Sequence, residues 1–165
     1  MKTLLLLRHA KAEPPDEGMS DRDRPLAPRG ERDAPSVGAW LCEQELMPDA
    51  ILSSDALRAK TTAELVASHC QFTGEVSFFP ELYMALPETY VEVLQRHAGE
   101  AEKVLVVGHN PTLDDLLFVL TGTHEGFPTA GLAVIELNVD HWEDLRLPTR
   151  HTLSHFIRGK DLDHD

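Results

Sequence analysis

The chain has 165 residues, 42% of them hydrophobic, and a formal net charge of −13 at neutral pH. That length supports one compact core and not two, so a single domain over residues 1–165 is expected. The negative surface repels polyanions, which excludes nucleic acid and anionic membrane as expected partners. No run approaches the ~18 apolar residues of a membrane span, and the four leucines before Arg8 are too few for a secretory leader, so a cytoplasmic protein is expected.

The elements alternate along the chain. Residues 3–7 read as a buried strand, and 33–46 as a helix, with Asp33 as its cap, Pro35 in its first turn and Val37, Trp40 and Leu41 on one apolar face. A short strand over 50–53 precedes a helix over 56–70, and a third strand over 75–79 stops at Pro80. A helix over 88–98 leads to the most apolar strand, 103–107. The next helix, over 112–120, sets Leu113, Leu116, Leu117 and Leu120 on its core face. Residues 131–139 and 142–147 read as an antiparallel pair joined at Asp140-His141. This succession predicts an α/β fold: a three-layer α/β/α sandwich whose mainly parallel sheet has an antiparallel edge.

Two strand ends carry histidines. Arg8-His9-Ala10 follows the leucine run, and Gly108-His109-Asn110-Pro111 follows Val104–Val107. In an open parallel sheet the carboxyl ends of the strands share one edge, where ligands bind, so the two imidazoles are expected to face each other. His69, His97, His124, His141, His151, His155 and His164 lack that context and read as structural or surface residues. Arg8 and Arg58 stand out in so acidic a chain, because a guanidinium fork matches phosphate oxygens bidentately. Arg58 follows Ser53-Ser54 at the start of a helix, where backbone amides favour the same anion. Ser53 or Ser54 either adds a hydroxyl to that anion or caps the helix. The aperiodic segment 13–29, rich in Pro, Asp and Arg, is expected to wall the site. Cys42 and Cys70 read as free buried thiols, and no Cys/His/Glu spacing defines a metal site, so neither metal nor cofactor is expected.

Leu7-Arg8-His9-Ala10, Arg24-Pro25-Leu26-Ala27-Pro28-Arg29-Gly30, the segment from Leu52 through Arg58 to Ala63, and Gly108-His109-Asn110-Pro111 occur in that order. In this the chain resembles the histidine phosphatase, or phosphoglycerate-mutase-like, superfamily, and within it the SixA-type phosphohistidine phosphatases. The resemblance implies that His9 is a nucleophile that becomes transiently phosphorylated, that Arg8 and Arg58 grip the phosphoryl oxygens, and that His109 donates to one of them. Arg24 and Ser53 are further candidate phosphate contacts. Neutral imidazole is a competent nucleophile at neutral pH, and neighbouring cations hold it unprotonated, which agrees with that role.

Many ester-cleaving members of the superfamily carry a Pro-x-Leu-x-Glu pattern after the third strand, whose Glu protonates the leaving alkoxide. Here the stretch is Pro80-Glu81-Leu82-Tyr83-Met84, with Met84 in the acid's place and Glu81 and Glu88 offset by three and four residues. A phosphohistidine has a labile P–N bond and needs far less acid assistance. The expected activity is therefore metal-independent hydrolysis of phosphohistidine in a protein. The alternatives are a small-molecule phosphomonoesterase on the same scaffold, using Glu81 or Glu88, and a phosphoprotein-binding module with poor turnover.

Overall fold

A computed structural model of the chain describes residues 1–162; His164 lies outside the described residues. Six strands form one sheet: β1 (Lys2–Arg8), β2 (Ala50–Ser54), β3 (Ser77–Phe79), β4 (Lys103–Gly108), β5 (Gly131–Leu137) and β6 (Thr152–Arg158). Their spatial order is β3-β2-β4-β1-β5-β6. The first four run parallel, β5 runs antiparallel to β1, and β6 antiparallel to β5, which is the expected parallel sheet with an antiparallel edge.

Helices α1 (Pro28–Glu43) and α2 (Leu57–His69) cover one face; α3 (Pro87–His97) and α4 (Thr112–Thr121) cover the other. Alternation along β1 feeds both layers. Leu5 and Leu7 pack with Val37, Leu41 and Val66 on the α1/α2 side, while Leu4 and Leu6 pack with Leu94, Leu113 and Leu117 on the α3/α4 side. A strand buried on both faces has no polar side to show, which explains the unbroken leucine run. No described helix is long and apolar enough to cross a membrane.

Three local expectations need correction. Helix α1 begins at Pro28 rather than at Asp33: Pro28 takes the first helical position, where its missing N–H costs nothing. Asp33 is instead buried inside the helix, its carboxylate 3.7 Å from Arg29 Nε, and Pro35 sits within the helix rather than at its start. The early start brings Gly30 against the chain just after His9, where a Cβ would fall 2.2 Å from the Lys11 carbonyl oxygen. The segment 142–147 is not a strand. Residues Trp142–Asp144 form a 3₁₀ turn that drives Trp142 and Leu145 into the core, with Trp142 Nε1 donating to the Ala101 carbonyl at 2.6 Å. The partner of β5 is β6, an edge strand whose mostly exposed or half-buried residues give no clean alternation. Cys42 is half-buried rather than buried, and Cys70 is buried; both are free.

Candidate active site

The β1–β4 register pairs Arg8 with Gly108, and the His9 N–H donates to the Gly108 carbonyl at 3.1 Å, so the residues after each strand leave the sheet side by side. His9 and His109 end with ring centroids 5.2 Å apart. Both floor a cleft of about 620 Å³ that is also lined by Arg8, Arg24, Arg58, Asp21, Tyr83 and Met84. The cleft opens at the carboxyl edge of the parallel strands, where the sequence placed it.

His9 is buried, and its Nδ1 lies 2.8 Å from the Ala10 carbonyl. A carbonyl only accepts, so the ring proton sits on Nδ1 and Nε2 keeps its lone pair. Burial lowers the imidazole to about pKa 3 despite that hydrogen bond, and His109, Arg58 and Arg8 add to the lowering. The ring is neutral at physiological pH. The strand end itself is pinned, since the Ala130 N–H donates to the Arg8 and His9 carbonyls and the Ala10 N–H donates to Thr62 Oγ1.

His109 is also buried, and burial with Arg58 nearby lowers its pKa to about 4. Its Nε2 lies 2.8 Å from Ser54 Oγ, which already accepts the Ala56 N–H. Donation of the Ser54 hydroxyl proton to Nε2 satisfies the serine completely, whereas the reverse would strand a buried hydroxyl proton. The ring proton of His109 therefore sits on Nδ1. Its backbone N–H donates to Tyr90 Oη, which donates in turn to the Leu82 carbonyl, and burial pushes the Tyr90 phenol up to about pKa 12. Gly108 makes room for that phenol, because a Cβ there would fall 2.1 Å from the oxygen.

Arg8 Nη1 donates to the Phe127 carbonyl at 2.9 Å, which holds the guanidinium at the cleft. Arg58 is buried in the first turn of α2 and donates through Nη1 to the Asp21 carbonyl and through Nη2 to Asp21 Oδ2. Among the described residues, Arg8 Nε, Arg58 Nε and His109 Nδ1 are buried nitrogen atoms with no hydrogen-bond partner. All three belong to residues lining one cleft, a donor set suited to a phosphoryl group.

The remaining expected residues divide. Arg24 lines the cleft and donates to the Glu13 carbonyl and to Asp21 Oδ1. Ser53 does not line it; its hydroxyl turns inward to the carbonyls of Ser54 and Ala59, because alternation along β2 sends neighbouring side chains to opposite faces. Ser54, not Ser53, reaches the site, and it does so through His109. Glu81 and Glu88 are exposed and lie outside the lining, while Met84 lies within it. Of the other described histidines, His151 is half-buried and the rest are exposed, and none lines the cleft.

Sequence reasoning missed Asp21 and Tyr83. Asp21 comes from the aperiodic segment after β1, which does wall the cleft as expected. Its carboxylate accepts from Tyr83 Oη at 2.5 Å as well as from Arg24 and Arg58. Those donors hold it well below the usual carboxylate range, the Tyr83 bond most of all. The Tyr83 ring stands edge-on to His109, with Arg22 stacked over it at 4.5 Å. No local pattern marks either residue, since Asp21 meets Arg58 and Tyr83 across 37 and 62 residues of sequence.

The profile of the histidine phosphatase superfamily (branch 1) matches residues 4–83. An uncharacterized protein of Mycobacterium tuberculosis is 39% identical over 150 residues, 84% of this chain and 91% of that protein. A structure from Agrobacterium tumefaciens, assigned by its name to the SixA phosphohistidine phosphatases, superposes with TM-score 0.80 at 31% identity, over 94% of this chain and 97% of that one. One from Nakamurella, similarly named, gives 0.83 at 26%, over 95% of each chain. The chain belongs to the histidine phosphatase superfamily, with the phosphoglycerate-mutase-like fold of its SixA members.

Proposed function

We propose that this chain is a metal-independent protein phosphohistidine phosphatase that works through a phosphorylated His9. The His9 Nε2 lone pair attacks phosphorus, and the P–N bond of the substrate breaks with its electron pair returning to the substrate imidazole. His9 then carries the phosphoryl group on Nε2 and its proton on Nδ1, held by the Ala10 carbonyl. Water attacks next; the electron pair of the second P–N bond returns to Nε2, and both water hydrogens leave on dihydrogen phosphate. Arg8, Arg58 and His109 Nδ1–H supply the charge that the equatorial oxygens need, and this is the task a metal performs elsewhere. Arg24, at the rim, makes a weaker contribution.

The observation that carries the choice of substrate is that, among the described residues, the cleft has no usable acid. Met84 lines it, Glu81 and Glu88 do not, and Asp21 is held ionised. An alkoxide departs only with a proton, whereas an imidazole that keeps a proton on its far nitrogen departs as a neutral molecule. The name of the Agrobacterium neighbour points the same way. We place the activity in the cytoplasm, in one domain over residues 1–165.

A leaving-group series tests this reading. With a phosphohistidine protein, p-nitrophenyl phosphate and an alkyl phosphate as substrates, kcat/KM is expected to fall in that order. Alkyl phosphate turned over as fast as phosphohistidine, and lost in Glu81→Gln or Glu88→Gln, would establish the small-molecule phosphomonoesterase instead. A protein that bound the phosphoprotein without releasing phosphate would be the binding module.

A further inference from the structure

Asp21 poses a chemical question, because a fixed anion beside a phosphate cleft repels the group the cleft is built to hold. Its position answers it. His9, Arg58 and His109 lie buried at the floor, whereas the Asp21 side chain is 48% exposed and lies with Tyr83 and Met84 at the rim. In-line displacement by a floor nucleophile sends the leaving group toward the rim. Asp21 Oδ2 accepts from both Tyr83 and Arg58, but Oδ1 accepts from Arg24 alone, so this oxygen keeps a lone pair for one more donor. Arg58 likewise keeps Nε–H and one further hydrogen on each terminal nitrogen, so substrate need not displace Asp21.

We propose that Asp21 is the specificity-determining residue for the leaving group: its carboxylate accepts the hydrogen bond of the far ring N–H of a departing imidazole. This rests on the phosphohistidine reading above. A phosphoimidazole protonated on the far nitrogen carries a positive ring, and the carboxylate favours that form. When His9 Nε2 takes the phosphoryl group, the breaking P–N pair returns to the near nitrogen and the far N–H stays where it was, so a neutral imidazole leaves and no proton moves. Asp21 thereby does for the donor ring what the Ala10 carbonyl does for His9. An ester offers no N–H to this carboxylate and asks for a proton that it does not hold. The same residue therefore favours one substrate class and disfavours the other. The groups facing Asp21 are Arg24 on its own segment, Arg58 on α2, Tyr83 after β3 and His109 after β4, and the two histidine protons are already placed by Ala10 and Ser54.

The test compares N-phosphoimidazole with p-nitrophenyl phosphate in the wild type, Asp21→Asn and Asp21→Glu. In Asp21→Asn the ratio of their kcat/KM values is expected to fall at least about tenfold, and Asp21→Glu to recover part of it. The alkaline limb of the N-phosphoimidazole pH profile, where the far nitrogen loses its proton, is expected to move down by about half a pH unit or more in Asp21→Asn. A parallel loss on both substrates, with the limb unmoved, would overturn the proposal, since Asp21 would then merely orient Arg58. Failure of the wild type to cleave N-phosphoimidazole would instead overturn the phosphohistidine reading, and this proposal with it.

Discussion

The imidazoles of His9 and His109 stand 5.2 Å apart, tilted by 52°, because Arg8 and Gly108 are partners in the parallel β1–β4 register. One ring offers a lone pair on Nε2 and the other a proton on Nδ1, each fixed by a single partner, Ala10 or Ser54. His9→Ala is expected to lower kcat/KM by on the order of 10³-fold or more, while the protein still melts cooperatively. Wild-type enzyme quenched during turnover should carry acid-labile phosphate on His9. Label on any other residue would reject this assignment.

Arg58→Ala removes a buried guanidinium from the phosphate and, with it, two of the hydrogen bonds that hold Asp21. Loss of such a charged contact costs roughly 2–5 kcal/mol, so kcat/KM is expected to fall by about 30-fold or more, with vanadate inhibition weakened alongside. Arg24→Ala should cost much less, because its side chain is partly solvated and its hydrogen bonds go to Glu13 and Asp21. Near-normal activity in Arg58→Ala would mean that the phosphate binds elsewhere.

Ser54→Ala tests the proton on His109. Without the hydroxyl donor, Nε2 competes for that proton, and the Nδ1 donor is lost in part of the population. We expect kcat to fall by about tenfold with a smaller change in KM. Nitrogen-15 spectra should show an Nδ1-protonated His109 in the wild type and a mixture in the variant; an Nε2-protonated ring in the wild type would contradict the geometry.

Met84 lines the cleft, at the last position of the Pro80-Glu81-Leu82-Tyr83-Met84 stretch. Met84→Glu is expected to accelerate alkyl phosphate hydrolysis selectively, by up to the ~10²–10⁴-fold typical of general acid catalysis. Equal changes on alkyl and p-nitrophenyl phosphate would show that the new carboxyl is not protonating the leaving oxygen.

Burial of two neutral imidazoles links stability to pH. Their pKa values are about 3 and about 4 in the folded chain against 6.5 ordinarily, so between pH 6.5 and pH 4 the unfolded chain binds protons that the folded chain refuses. Stability therefore falls as pH drops through that window, with a slope of up to about 1.4 kcal/mol per pH unit for each ring. Thermal melts from pH 7 to pH 4 should show the decline, and the double variant His9→Asn/His109→Gln should flatten it. An unchanged slope in the double variant would place the linkage on other groups.

The apolar runs at Leu4–Leu7 and Val104–Val107, each followed within two residues by a histidine, pointed to both histidines on one sheet edge, because short runs without a polar side suit strands buried on both faces. Arg58 and the core face of α4 were legible for a similar reason: strand-turn-helix punctuation and helical spacing are local signals. The start of α1, the identity of the outer strand β6, the choice of Ser54 over Ser53 and the presence of Asp21 and Tyr83 were decided by tertiary structure alone. An edge strand half open to solvent has little hydrophobic period to read. Asp21 meets partners 37 and 62 residues away, and what places it in the cleft is the packing of an aperiodic segment against α2 and the turn after β3, which no local pattern encodes.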